Sequence, residues 1–286
     1  MHESVEQKRQ IAIERIRMFV SGAAGAPILV AFSGGKDSQC IYHLAEEAEI
    51  EFKAEYSITR FEPPELIRFI RENYPSVTFR RAYSKSLVKE ISTRGLPNRF
   101  ARWCCASKHK RTEGFNHVLI GIRWDESPRR RDTWRMQGQK PDKVNYLCPI
   151  CDWSEADVWE YLVGRPHCSI YDEGRTRIGC VCCPLATPKQ MMADAKRWPK
   201  TAEMLKSGAR LFADRMKTKG YITNSGKHCP DWCKANDPEA EYWHRWINSG
   251  QTSKPAKAVR WDSGECLFAG TGFSESDGQE GDESHA

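Results

Sequence analysis

Apolar residues follow two rhythms along this chain. Between positions 4 and 21, Ile11, Ile13, Ile16, Met18, Phe19 and Val20 recur among charged residues at roughly helical spacing. This predicts an amphipathic helix that packs against the rest of the protein. After a small-residue break at 23–27, the run Ile28-Leu29-Val30-Ala31-Phe32 has the length and continuity of a buried parallel strand. Cys40, Ile41, Leu44 and Ala45 return to helical spacing over 37–49, with Cys40 facing the core. Strand-like runs at 52–58, 77–80 and 117–122 alternate with helical stretches at 64–73 and 85–93. Such alternation predicts an α/β fold, an open, mostly parallel sheet with helices on both faces. Ser154, with Asp157 three residues on, reads as the capping box of a helix burying Val158, Trp159, Tyr161 and Leu162. Beyond 186 the pattern is helical over 191–198, 202–217 and 239–247, which predicts a helical C-terminal subdomain. The expected division is an N-terminal helix over 1–24, the α/β domain over 25–186, the helical subdomain over 187–248 and a mostly disordered acidic tail over 249–286.

Composition narrows the class. The chain has 286 residues, 40% of them hydrophobic, enough for a substantial core. No apolar run reaches the roughly 18 residues of a membrane span, and Arg9, Glu14, Arg15 and Arg17 interrupt any signal-peptide pattern. The expectation is a cytoplasmic protein with no membrane partner. In that compartment its 12 cysteines point to metal or redox chemistry rather than a disulfide scaffold. The net charge of +6 understates the basic character of the body, because Glu275, Asp277, Glu280, Asp282 and Glu283 crowd the tail. A polyanion is therefore the expected ligand, whether a nucleotide, a sulfated nucleotide or a nucleic acid.

The sharpest local signal is Ser33-Gly34-Gly35-Lys36-Asp37-Ser38, set between the first strand and a helix. The glycines let backbone N–H groups turn inward, the helix N-terminus adds positive potential, and Lys36 adds a mobile charge. Ser33 and Ser38 can donate to phosphate oxygens, and Asp37 can help hold a Mg²⁺ ion on a departing pyrophosphate. A second signal is thiol spacing. Cys104 and Cys105 are adjacent, and Cys180 and Cys183 form a Cys-x-x-Cys pair. Four thiolates from two loops suit tetrahedral zinc or a four-iron four-sulfur cluster, with Cys182 able to replace a neighbour. Cys148, Cys151, Cys229 and Cys233 could complete a second four-cysteine site, or be ordinary thiols. Arg123, Arg129, Arg130, Arg131 and Arg135 follow a strand end, where open parallel sheets bind ligands, and Lys108, Lys110 and Arg111 extend the basic field.

The hexapeptide resembles the signature of the PP-loop superfamily of adenine nucleotide alpha hydrolases. Together with the cysteine pairs it resembles the phosphoadenosine phosphosulfate (PAPS) reductase family, in its iron-sulfur form. Gly121-Ile122-Arg123, Glu126-Ser127, Pro149-Ile150, Trp153-Ser154, Asp157-Val158-Trp159 and Arg177 extend the resemblance over about 25–190. The resemblance implies that Gly121, Arg123 and Glu126 line the nucleotide site, with Arg130 as a further candidate. One segment departs from the family, with Ser57-Ile58-Thr59-Arg60 standing where Asp-Thr-Gly is expected.

The resemblance implies two chemistries. In one, as in the DNA phosphorothioation branch, Lys36 and the loop position ATP, an acceptor displaces pyrophosphate, and a sulfur-carrier protein then displaces AMP. The acceptor could be a nucleic acid. In the other, a cysteine thiolate reduces adenylyl sulfate (APS) or PAPS and sulfite leaves. Reductases place that thiolate in Glu-Cys-Gly-Leu-His, of which Glu265-Cys266-Leu267-Phe268 keeps the first two letters, leaving Cys266 as the candidate nucleophile. The intact Lys36-Asp37 pair favours ATP. A third class is a non-catalytic, metal-stabilised nucleic-acid-binding module.

Overall fold

A computed structural model describes residues 3–108, 114–140, 143–219, 221–223, 226–228, 232 and 235–249. Helix α1 (Val5–Gly22) opens with a reciprocal capping box between Ser4 and Gln7 and buries Ala12, Ile13, Ile16 and Phe19. Met18, expected on the buried face, is 68% exposed, because the buried stripe follows positions 12, 13, 16 and 19 and leaves 18 on the far side.

Six strands build the sheet. Strand β1 (Ile28–Ala31) leads into α2 (Lys36–Glu47), β2 (Lys53–Ile58) into α3 (Pro64–Asn73), and β3 (Thr78–Arg81) into α4 (Leu87–Arg94) and α5 (Trp103–Lys108). Strand β4 (His117–Leu119) then precedes α6 (Pro128–Thr133), β5 (Gln137–Gln139), β6 (Asn145–Leu147) and α7 (Glu155–Tyr161). The six strands lie in the order β3-β2-β1-β4-β6-β5. All pairings are parallel except β5 with β6. The open, mostly parallel sheet expected from the alternation is the sheet observed.

The chain steps from β1 outward through β2 to β3, then returns to place β4 on the other side of β1. The reversal of direction falls between β1 and β4, and a crevice at the carboxyl ends of those two strands is where such sheets bind ligands. Alternation along β1 sends Ile28 and Val30 into the large core with Ile16, Ile41 and Leu44, and Leu29 into a smaller cluster on the opposite face with Phe115, Val118 and Val144. Helix α7 begins with the Ser154–Asp157 capping box and buries Val158, Tyr161 and Leu162, whereas Trp159 stays half-buried against Tyr171.

Helices α8 (Pro188–Arg197), α9 (Pro199–Lys219) and α10 (Pro238–Ser249) follow, with a small hairpin of β7 (Tyr221–Thr223) and β8 (Gly226–His228) before α10. Helix α9 packs along α4, where Gly208 admits the close approach of Ile91. Helix α10 anchors the segment that leads to the first cysteine pair. The Tyr242 hydroxyl accepts from the Leu96 amide at 2.8 Å and the Trp246 indole donates to the Pro97 carbonyl at 2.6 Å. The 250–286 stretch, nearly all of the expected tail, lies outside the described residues.

Candidate functional site

The loop at residues 33–38 closes on itself. The Ser38 hydroxyl donates to the Gly35 carbonyl at 2.8 Å and accepts from the Ser33 amide at 3.1 Å and the Ser33 hydroxyl at 3.0 Å. Both serines therefore brace the turn from within. Gly34 takes a φ of +72°, and a Cβ there would stand 2.7 Å from the ends of Leu66 and Ile70. A side chain at this position meets both backbone strain and a filled space.

Gly121 and Arg123 come to the same place from the end of β4. A Cβ on Gly121 would stand 2.8 Å from the Asp37 carbonyl oxygen, so only glycine lets this segment lie against the first turn of α2. Arg123 is 3% exposed and donates from Nε to Asp37 Oδ1 at 2.5 Å and from Nη1 to the Trp153 carbonyl at 3.3 Å. Its charge is thus matched within the protein. Glu126 pairs with Arg130 and accepts from the Arg123 amide at 3.4 Å, so its carboxylate links the residue before the short 3-10 turn at Trp124–Glu126 to α6. Arg129, Arg131 and Arg135 remain exposed.

Lys36 is only 5% exposed and is held by a segment that the sequence did not single out. Its Nζ donates to the Thr176 carbonyl at 2.8 Å and lies 3.3 Å from Glu155, while its amide donates to the Tyr171 hydroxyl at 2.9 Å. Tyr171, Thr176 and Glu155 are therefore part of the loop's surroundings. All three lie more than a hundred residues along the chain, Glu155 in the first turn of α7 and Tyr171 and Thr176 in a stretch without periodicity, and no local pattern marks them as partners of Lys36.

The four candidate thiols gather at the same carboxyl edge of the sheet. Val181 donates its amide to the Phe61 carbonyl just beyond β2, at 2.7 Å, and Phe61 packs edge-on against Trp103 at the start of α5. This brings the two cysteine pairs together. Cys104 and Cys105 share a hydrogen bond, and the fields of Cys180 and Cys183 reach Cys104. The bond and burial hold the Cys104 thiol up, and donation from Cys104 with Arg102, Lys108 and Arg177 nearby holds the Cys105 thiol down. Burial pushes Cys180 up to about 12.

Cys182 takes no part in this group. A φ of +53° turns its side chain away from its neighbours, its thiol donates to the Met191 carbonyl at 3.4 Å, and its amide donates to Asp194 at 3.1 Å. Among the described residues no three His, Cys, Asp or Glu side chains stand at the spacing of a metal shell. The donor set nevertheless fits a thiolate-ligated group in kind and number. It also has a buried donor beside it, since the Tyr56 hydroxyl has no hydrogen-bond partner and senses both Glu62 and Cys180.

The other candidate thiols that are described are buried. Cys40 is fully buried, as expected. Cys148 and Cys151 are 0% and 1% exposed beside Ile122 and Tyr146, and burial pushes them up to about 12 and about 11. Cys229, Cys233, Lys110, Arg111 and Cys266 lie outside the described residues. In the segment that departs from the family, Glu62 closes the turn after β2 by accepting from the Thr59 amide at 2.9 Å and hydroxyl at 2.6 Å. No helix among the described residues is long and apolar enough to cross a membrane.

An open parallel sheet with a glycine-rich anion loop at its switch point defines a nucleotide-binding α/β protein of the PP-loop kind. The phosphoadenosine phosphosulfate reductase domain matches residues 27–186, and the chain belongs to that family. Among curated relatives, an uncharacterized protein of Methanocaldococcus jannaschii is 29% identical over 66% of this chain. The chain spans only 42% of that protein and 45% of a second uncharacterized protein of the same organism. The adenosine 5'-phosphosulfate reductase of Shouchella clausii is 25% identical, with 63% of this chain and 80% of that one aligned. A probable FAD synthase of Schizosaccharomyces pombe is 29% identical, with 69% and 75% aligned. The phosphate complex of PAPS reductase from Candida auris superposes with a TM-score of 0.46 at 15% identity, over 63% of this chain and 97% of that one.

Proposed function

We propose that the chain is an ATP-using PP-loop enzyme that cleaves between the α- and β-phosphates, adenylylates an acceptor and supports sulfur transfer to it. The observation that carries this reading is the intact loop, with Lys36 in its first helical turn tied to Tyr171 and Thr176, and with the thiol group at the same sheet edge. The amides at the start of α2 bind the phosphate chain, and Lys36 neutralises charge that builds on the departing pyrophosphate. An acceptor oxygen attacks the α-phosphorus, the α–β bridging bond breaks, and pyrophosphate leaves with its Mg²⁺. A donor sulfur then displaces AMP from the acceptor. Arg123 keeps Asp37 oriented and Gly121 keeps the first turn of α2 in place. Cys104, Cys105, Cys180 and Cys183 would hold a four-iron four-sulfur cluster, or zinc in its stead. When bound, a cluster supplies redox capacity and fixed charge near the nucleotide. The exposed arginines at 129, 131 and 135 fit a nucleic-acid acceptor, and a sulfur-carrier protein fits as donor. We assign catalysis to 25–186 and the cytoplasm as its compartment.

A second reading, APS or PAPS reduction with Cys266 as nucleophile, is favoured by the sequence match to the Shouchella clausii reductase. One pair of assays separates them. Pyrophosphate release from ATP that is lost in Lys36→Ala supports the first reading. Sulfite release from APS or PAPS that is lost in Cys266→Ser supports the second. Neither activity leaves a nucleic-acid-binding module, and a folded, colourless, iron-free protein after anaerobic purification removes the cluster.

A further inference from the structure

The segment between Ile170 and Val181 is fixed at its ends and held between them mainly by contacts at the surface, among them the Glu173–Arg197 ion pair at 2.8 Å. Ile170 is 1% exposed and Val181 is fully buried. Between these points Asp172, Glu173, Gly174, Thr176 and Arg177 are all exposed, and Gly174 turns the chain at a φ of +80°. Stretches with few buried contacts open locally at low cost. Yet this stretch makes three contacts to the anion loop. The Tyr171 hydroxyl accepts from the Lys36 amide at 2.9 Å, the Thr176 carbonyl accepts from Lys36 Nζ at 2.8 Å, and Lys36 Nζ lies 5.8 Å from the centre of the Tyr171 ring.

These groups satisfy the donors that a phosphate would use. An amide in the first turn of a helix has no partner within the helix, which makes it available to an anion. Here a phenol oxygen occupies it, and a backbone carbonyl occupies the lysine. The Tyr171 ring is supported edge-on by Trp159, with centroids 4.9 Å apart, and the Arg175–Asp194 ion pair at 2.8 Å holds the far side of the turn to α8.

We propose that residues 171–176 form a strap that closes the anion loop, with the Tyr171 hydroxyl standing as an internal competitor for a phosphate oxygen. The proposal rests on the reading of residues 33–38 as a phosphate site. A nucleotide enters by displacing the hydroxyl from the Lys36 amide and drawing Lys36 away from Thr176. Asp194, which also accepts from the Cys182 amide at 3.1 Å, joins the strap's anchor to the turn between Cys180 and Cys183.

The test is calorimetric titration of the full chain with α,β-methylene-ATP, comparing wild type, Lys36→Ala and Tyr171→Phe. Removing the hydroxyl deletes one competing hydrogen bond while keeping the ring on Trp159, so Tyr171→Phe should bind the analogue about two- to tenfold more tightly. Binding that is lost in Lys36→Ala but unchanged or weakened in Tyr171→Phe overturns the strap and leaves the phosphate site standing. Absence of binding in both wild type and Tyr171→Phe overturns both. The wild type gives a second measurement that needs no variant. Adding inorganic pyrophosphate should speed trypsin cleavage after Arg175 or Arg177, since cleavage follows the open population. Unchanged or slower cleavage there counts against the strap.

Discussion

Three glycines surround the first turn of α2, and the structure assigns each a different tolerance for alanine. At Gly121 the added Cβ would meet only backbone, 2.8 Å from the Asp37 oxygen, 2.9 Å from its carbonyl carbon and 3.1 Å from the Ser38 nitrogen. Those atoms belong to a turn braced by the Ser38 hydroxyl on Gly35, so they cannot rotate out of the way. Overpacking of this kind costs about 1–3 kcal/mol. At Gly34 the left-handed backbone alone costs about 1–2 kcal/mol for alanine. The clash there falls on the ends of Leu66 and Ile70, which can turn aside. At Gly35 the φ is −81° and the nearest atoms, the Ser33 and Tyr171 oxygens, are at 3.5 Å, an ordinary contact. Its alanine variant should lose less than about 1 kcal/mol, the difference between these residues at a helix N-cap.

Urea denaturation at constant m-value checks this order, with Gly34→Ala and Gly121→Ala both well below wild type and Gly35→Ala close to it. Nucleotide titration adds a second axis. Gly121→Ala relieves its clash by pushing the helix start away from β4, which moves the amides that bind phosphate. Its affinity for α,β-methylene-ATP should fall by at least about tenfold, given that misplacement by about 1 Å can cost a hundredfold in rate. A Gly121→Ala protein within about 0.5 kcal/mol of wild type and with unaltered binding would refute the placement of β4 against α2.

Further expectations concern parts of the protein away from that turn. Gly208→Ala puts a Cβ 2.7 Å from Ile91 Cβ where α9 crosses α4, and should lower stability by about 1–3 kcal/mol in the same urea assay without changing nucleotide affinity. Burial pushes the Asp157 carboxyl up, but bonds from Lys8 and Ser154 more than offset it and hold the group below its usual 3.8. A depressed carboxylate stabilises fully above its unfolded pKa and loses that contribution as pH falls through the folded one, so the stability gap between wild type and Asp157→Asn should close between about pH 5 and pH 2. After anaerobic reconstitution, serine at Cys104, Cys105, Cys180 or Cys183 should lower bound iron per chain. Cys182→Ser and Cys148→Ser should retain it, because those thiols face Met191 and the apolar pocket beside Tyr146.

What could be read in advance divides along physical lines. Helices α1 to α4 carry enough apolar residues for their period to show, and β1 and β4 showed as largely apolar runs longer than the strands themselves, at 28–32 and 117–122. Strands β5 and β6 have three residues each and α5 and α6 six each, too few for a period of 2 or 3.6 to declare itself. The loop at Ser33–Ser38 was legible because its chemistry is local, as six consecutive residues supply the turn, the amides and the braces. The same holds for the capping box at Ser154. Pairings between distant residues were not legible. Arg123 reaches Asp37 across 86 positions and Lys36 reaches Thr176 across 140, and nothing in either neighbourhood specifies its partner.

That difference bears on how the basic charge is read. Arginines 123, 129, 130, 131 and 135 form one cationic run in the sequence, available as a whole to an anion. In the fold, Arg123 is buried against Asp37 and Arg130 is paired with Glu126, so the run separates into an inner pair that shapes the loop and an outer set at 129, 131 and 135 that faces solvent. Arg123 braces Asp37 in the first turn of α2, and the outer set is the part of the run that the proposed nucleic-acid acceptor would meet. Charge reversal at Arg129 and Arg131 should therefore weaken binding of single-stranded DNA, most visibly at low salt, while leaving α,β-methylene-ATP affinity unchanged. A parallel loss of both would mean that the outer arginines belong to the nucleotide site after all.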